Sequence, residues 1–216
     1  MSESTTHAPG RQDGAALPLV TMWGLYGAGT NEIGNMVAEE LGLPFHEQAF
    51  SSEDLENPES SLENRAVLAN VLSVLGGAYG GFEGLDVVTT QEEKRDLIIA
   101  NNTGVWKDAA AGGVVVGRNA TVILATRPNT LHVLLTGDKR DRVRRASEYY
   151  NIPEAKAAER QSREDDIRAE MSRSLYGWDP SDAENYDLML NTSRIPTGAV
   201  VAAIVDAIQR REGNKS

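Results

Sequence analysis

The chain has 216 residues, 21 Lys and Arg against 32 Asp and Glu, a net charge of −11 and no cysteine. Such a length suits one domain around one core, the acidic balance argues against a general nucleic-acid binder, and the lack of Cys excludes disulfides and thiolate metal sites. No apolar run reaches the roughly 18 residues of a membrane span and the first residues lack a signal peptide's apolar core, so the expectation is a cytoplasmic protein with no membrane partner.

Residues 1–17 are polar, rich in Gly, Pro and Ser, and read as a disordered tail ahead of one domain over 18–212. "LPLVTMW" (17–23) predicts a buried strand, and "TNEIGNMVAEELG" predicts a helix. Ile33, Val37 and Leu41 recur every four residues there, Thr30 or Asn31 can serve as N-cap, and Gly42 is placed to end the helix. "PFHEQAF" (44–50) predicts a second, short strand. Residues 51–112 read as helical and acidic, with helices near 61–75 and 90–111 separated by "GGAYGGFEG". "GGVVVGR" (112–118) and "LHVLLTG" (131–137) predict two more buried strands, the latter followed by a cationic helix over 138–150. Residues 152–177 predict a polar helical hairpin with too few large apolar side chains for core. "YDLMLNT" (186–192) is the fifth predicted strand, and Pro196 starts the last helix.

Strands alternating with helices indicate an α/β fold with a parallel sheet, where ligands bind at the carboxyl ends of the strands. Unusual residues cluster at those ends: the glycines of "GLYGAGTNEIG" (24–34), Glu47, Arg118, and Thr192 with Ser193. Counted from Gly24, the glycine stretch has the spacing of a phosphate loop, G-x-x-x-x-G-K-[ST], but Thr30 stands in place of the lysine and Asn31 in place of the hydroxyl residue. Gly24, Gly27 and Gly29 serve a tight turn equally well. The cations lie elsewhere: none occurs between Arg11 and Arg65, whereas residues 139–173 hold ten of the 21. That density fits either solvated helix faces or a cationic arm closing over a polyanion. Arg118, at a strand end, can fork onto phosphate or pair with an acid from 51–112. Arg142 and Arg145, three residues apart, share one helix face. His7, His46 and His132 form no metal constellation, and no metal-ligating residue is assigned.

In order and spacing these fragments resemble the cytidylate kinase-like family of P-loop nucleoside monophosphate kinases over about residues 17–207. The resemblance rests on "YGAGTNEIGNMVAEELGLPF" (26–45), "VVVGR" (114–118), the pair Arg142 and Arg145, the pair Asp165 and Arg168, and "YDLMLNTS" (186–193). It implies a five-stranded parallel sheet flanked by helices, an acceptor-binding helical region over 51–112 and a lid over 152–177. It also implies phosphoryl transfer from ATP, with Mg²⁺, to a monophosphate, CMP first among them. Gly24, Gly27, Ala28, Gly29, Thr30 and Asn31 would then cradle the donor phosphates, with Glu32 near the metal through water. Glu47 and Arg118 would meet the acceptor, Arg142 or Arg145 the donor, and Arg168 and Arg173 would close from the lid. Arg145, Arg168 and Arg173 are thus the implied catalytic cations.

The departures concentrate at the loop. Relatives without the lysine carry a basic residue where this chain has Asn31, and their S-R-E is here Trp23-Gly24-Leu25. A helix N-terminus supplies only about half a charge. If the helix after the fourth strand replaces the lysine, its inward arginine must point at the glycine turn. The alternatives are a nucleotide-binding regulator that kept the fold and lost turnover, and a structural or interaction protein in which the glycines serve only the turn.

Overall fold

A computed structural model of the chain describes residues 16–47 and 91–213. The elements follow as β1 (Leu19–Gly24), α1 (Thr30–Leu41), β2 (Phe45–His46), α2 (Gln91–Ala109), β3 (Gly113–Val116), α3 (Ala120–Ile123), β4 (Thr130–Thr136), α4 (Lys139–Tyr150), α5 (Glu154–Tyr176), a 3-10 turn (Ala183–Asn185), β5 (Leu188–Asn191) and α6 (Thr197–Gly213). The expected helix near 61–75 and most of the expected acceptor region lie outside the described residues, as does the tail up to residue 15.

The five strands form one parallel sheet, as the alternation predicted, and their order is β2-β3-β1-β4-β5. Strand direction and pleat divide the core in two. Val20, Met22, Val114, Val116, Leu131, Val133 and Leu135 point to one face, where Ile33 and Val37 of α1 and Val200, Ile204 and Ile208 of α6 cover them. On the other face Leu19 and Val115 pack against Val105 and Ala109 of α2 and against Ala120 and Leu124 around α3. Thr21, fully buried on β1, hydrogen-bonds His132 Nδ1 at 2.7 Å. Burial lowers the pKa of that imidazole, which is a strand residue with its partner in the core.

Two expectations are corrected. Helix α1 has no Thr30 or Asn31 cap: it begins at Thr30, with Gly29 as N-cap in the left-handed region at φ 82° and no side-chain capping bond. Residues 154–176 form one continuous helix of 23 residues rather than a hairpin. That stretch contains no Gly or Pro to break it; Pro153 precedes it and Gly177, left-handed, closes it. The helix buries a mostly polar set: Ala157, Arg160, Gln161, Glu164, Ile167 and Ser172. The periodicity of apolar residues missed this because the seat of α5 is built from hydrogen bonds and ion pairs.

β4 lies beside β1, so α4 starts next to the turn that follows β1. This adjacency places the cationic helix on the glycines.

Candidate functional site

The turn between β1 and α1 is tight and closely covered. A Cβ on Gly24 would lie 1.7 Å from Thr30 Oγ1, so Thr30, in the lysine position, packs back on the strand end. Gly27 has φ 74°, and a Cβ there would sit 2.1 Å from the Arg142 carbonyl oxygen. Both the left-handed backbone and the passage of α4 therefore require glycine at position 27. The uncapped first turn of α1 leaves backbone N–H groups without a side-chain acceptor, and Thr30, Asn31 and Glu32 all line the pocket in front of the turn. That pocket is an open cleft, bounded also by Leu25, Tyr26, Gly27 and Gly29.

Two arginines from other elements enter the same pocket. Arg145 of α4 donates from Nη1 to the Gly27 carbonyl and to Thr192 Oγ1, both at 2.9 Å, and from Nη2 to the Thr192 carbonyl at 2.9 Å. Arg168 of α5 donates from Nη1 to the Gly24 carbonyl at 3.4 Å and pairs through Nη2 with Glu164. The inward arginine of α4 expected at the glycine turn is thus Arg145, and α5 adds a second cation.

Arg142 departs from the expectation of a donor-phosphate ligand. It is 6% exposed and does not line the pocket. Its Nη1 donates to the Tyr26 carbonyl at 2.8 Å and to Asp165 Oδ2 at 2.9 Å, and its Nε donates to the Gly137 carbonyl at 3.0 Å. The Gln161 amide oxygen, in the orientation that satisfies both groups, accepts from Nη2 at 2.7 Å. Arg142 is a clamp between the turn and α5. Arg173 also lies outside the pocket, on the surface, with Asp179 at 3.3 Å and Glu170 at 3.6 Å. Ala28 is fully buried in the core beneath the turn.

The acidic residues of α5 meet the turn as well. Asp165 Oδ1 accepts the Tyr26 N–H at 2.7 Å, so a carboxylate already sits on a backbone donor of the loop. Glu164 is 1% exposed, and its Oε1 finds no hydrogen-bond partner among the described residues. Burial raises its pKa, with Arg168 opposing and Asp165 adding to the rise. Beside them Tyr150 stacks on Tyr26, ring centroids 6.0 Å apart and planes within 12°. Burial, then the charge of Glu164, pushes the Tyr150 phenol up to about 12, so it stays neutral. Tyr149 and Tyr150 line the pocket too, and the sequence reading missed both. Their position one turn beyond Arg145 on the same helix was the available clue.

The acceptor-side expectations are not gathered at this pocket. Arg118 has its carbonyl held by Asn101 Nδ2 at 2.9 Å, while its Nη1 reaches Asp108, two turns further along α2, at 2.8 Å. Its side chain thus lies back along α2, in the salt bridge foreseen as its bland role. Arg118 Nε and Nη2 are buried and have no partner among the described residues. His46 Nδ1 stands 3.6 Å from the same Asp108. Glu47 is exposed just past β2 and lines no part of the pocket.

No group of three or more metal-ligating side chains occurs among the described residues. The oxygens of Asn31 and Glu32 at the pocket nonetheless suit Mg²⁺, which takes few protein ligands and keeps water and substrate phosphates. No helix among the described residues is long and apolar enough to cross a membrane.

A sheet of this order, with a glycine turn and two foreign arginines at the end of β1, is matched by a sequence profile over residues 19–194, that of the cytidylate kinase-like family. The chain belongs to the cytidylate kinase-like family. Among curated proteins it is similar to a uronate isomerase of Corynebacterium glutamicum, 34% identical over 111 residues, which are 51% of this chain and 21% of that protein. The chain therefore matches only a small part of that relative's length. Among solved structures, an uncharacterized protein from Eubacterium ventriosum superposes with a TM-score of 0.62 at 16% identity, covering 89% of this chain and 98% of that one. A shikimate kinase from Acinetobacter baumannii, solved with shikimate, gives a TM-score of 0.49 at 15% identity over 93% of this chain and 96% of its own. At such identities the likeness to the Eubacterium protein is one of fold. The chain is thus a kinase-like domain with Thr30 where a phosphate loop carries its lysine.

Proposed function

We propose that this member of the family binds Mg-ATP at the glycine turn and transfers the γ-phosphoryl group to a monophosphate, CMP being the first candidate. One observation carries the reading: Arg145 and Arg168, from α4 and α5, line the pocket of a turn that has no cation of its own. A unit charge about 4 Å from a phosphate oxygen contributes roughly 4 kcal/mol at an effective dielectric near 20. Two such cations exceed the half charge of a helix N-terminus. The chain's part in the reaction is then positioning and charge stabilisation. First-turn amides of α1 hold phosphate oxygens, Arg145 and Arg168 stabilise charge on the transferring group, and α5 shields the site from water. Asn31 and Glu32 would hold the Mg²⁺ that accompanies the nucleotide, through water, and the ion would supply neutralisation of phosphate charge. Arg118 offers the acceptor a buried Nε and Nη2 edge of the kind that forks onto an anion.

A second reading, a nucleotide-binding regulator with little turnover, is favoured by one detail. Both pocket arginines already donate to loop carbonyls, those of Gly27 and Gly24, and Asp165 holds the Tyr26 amide. One experiment separates the readings: incubate the full chain with ATP, Mg²⁺ and CMP, follow ADP, and record melting with and without nucleotide. The kinase reading expects CMP-dependent ADP release. Ligand at 100 times its dissociation constant should stabilise by about 2.7 kcal/mol under either reading. Stabilisation without turnover selects the regulator, and no stabilisation by any common nucleotide at millimolar concentration overturns both.

A further inference from the structure

The pocket has an aromatic wall that the phosphate chemistry does not use. Tyr149 and Tyr150 close α4 and line the pocket together with the glycine turn. Tyr150 is fixed from several sides: it stacks on the buried Tyr26, has the Arg160 guanidinium carbon 5.9 Å from its ring centroid, and meets Tyr149 nearly perpendicularly, at 86° and 4.9 Å. Tyr149 is 63% exposed. Tyr150, itself 37% exposed and held by these contacts, thus braces the more open Tyr149 at the mouth of the pocket. Four residues separate Arg145 from Tyr149, which puts them on one helix face about 6 Å apart along the axis.

We propose that Tyr149, braced by Tyr150 and Tyr26, is the stacking platform for the base of the bound nucleotide. The proposal rests on the reading of the glycine turn as the phosphate site and adds to it the part of the ligand that this chain recognises. An aromatic face selects for a heterocycle but not between heterocycles, because every base has a π-face. Discrimination therefore falls between nucleotides and bare polyphosphates. Tyr149 is a binding residue, outside the reacting groups.

The test compares Mg-ATP with magnesium tripolyphosphate, which keeps the phosphates and lacks the base, on the full chain by calorimetric titration. The wild type, Tyr149→Ala and Tyr149→Phe are measured, each first checked for an unchanged melting point. Loss of the platform should weaken ATP on the order of ten- to a hundredfold, leave tripolyphosphate unchanged, and be rescued by phenylalanine. If Tyr149→Ala binds ATP as the wild type does, or weakens ATP and tripolyphosphate equally, the platform is overturned while the phosphate site stands. If the wild type binds neither probe, the phosphate site itself falls and the platform with it.

Discussion

Helix α1 leaves the glycine turn and helix α5 crosses it, yet the two are seated by different forces. α1 sends Ile33, Val37 and Ala38 into the main apolar core, all at 2% exposure or less. α5 is held mainly by Asp165 on Arg142 and on the Tyr26 amide, Arg168 on the Gly24 carbonyl and Ser172 on Asn119, the last at 2.7 Å, with Ala157 and Ile167 its only buried apolar side chains. Beyond its end Trp178 meets Trp23 edge-on, centroids 5.8 Å apart. Apolar burial adds up contact by contact and is indifferent to pH. A polar seat works only when every partner is present, and a polyanion can compete for its arginines. The turn therefore has an apolar floor and a polar cover.

The sharpest way to break the contrast is Arg142→Ala. It strips the Tyr26 carbonyl, Asp165 and Gln161 of their common donor and leaves a part-buried carboxylate unpaired. The expected cost is roughly 3–5 kcal/mol in urea denaturation, and amide exchange should accelerate in α5 well before α1. Equal acceleration in both helices would show that they open as one unit. Val37→Ala, by contrast, removes two methyl groups from the floor and should cost about 2 kcal/mol, spread over the sheet rather than confined to α5.

Much of this was legible in advance. The order of strands and helices followed from apolar runs, and the arrival of an α4 arginine at the turn from the family resemblance. The seat of α5 was not legible, because Arg142 lies on another helix, 23 residues before Asp165, and the contact carries no periodic signature. For the same reason Arg142 and Arg145, equivalent on a helical wheel, could not be told apart: one is buried as a clamp and the other faces the pocket. Arg118 was ambiguous because strand-end arginines serve anions and salt bridges alike. Asp108 decided its present contact.

A smaller effect should appear with pH. Burial raises the folded pKa of Glu164 above its ordinary 4.5, so its contribution is full below that pH and is lost as pH rises through the folded value. Wild-type stability should therefore carry a falling component as pH rises above about 4.5. Glu164→Gln should flatten that component, read as the urea midpoint at each pH. Parallel profiles for the two proteins would mean that Glu164 is not the group responsible.

The claim that two borrowed arginines replace the loop lysine is tested most directly by calorimetric titration of Mg-ATP into four proteins: wild type, Arg145→Ala, Arg168→Ala and Arg144→Ala. Arg144 lies on the same helix as Arg145, but its side chain is exposed and, among the described residues, pairs with Asp141 and Glu148. The account predicts that losing Arg145 or Arg168 weakens binding by roughly 1.5–3 kcal/mol each, about ten- to a hundredfold, with Arg144→Ala unchanged. Wild-type affinity in both Arg145→Ala and Arg168→Ala would contradict it.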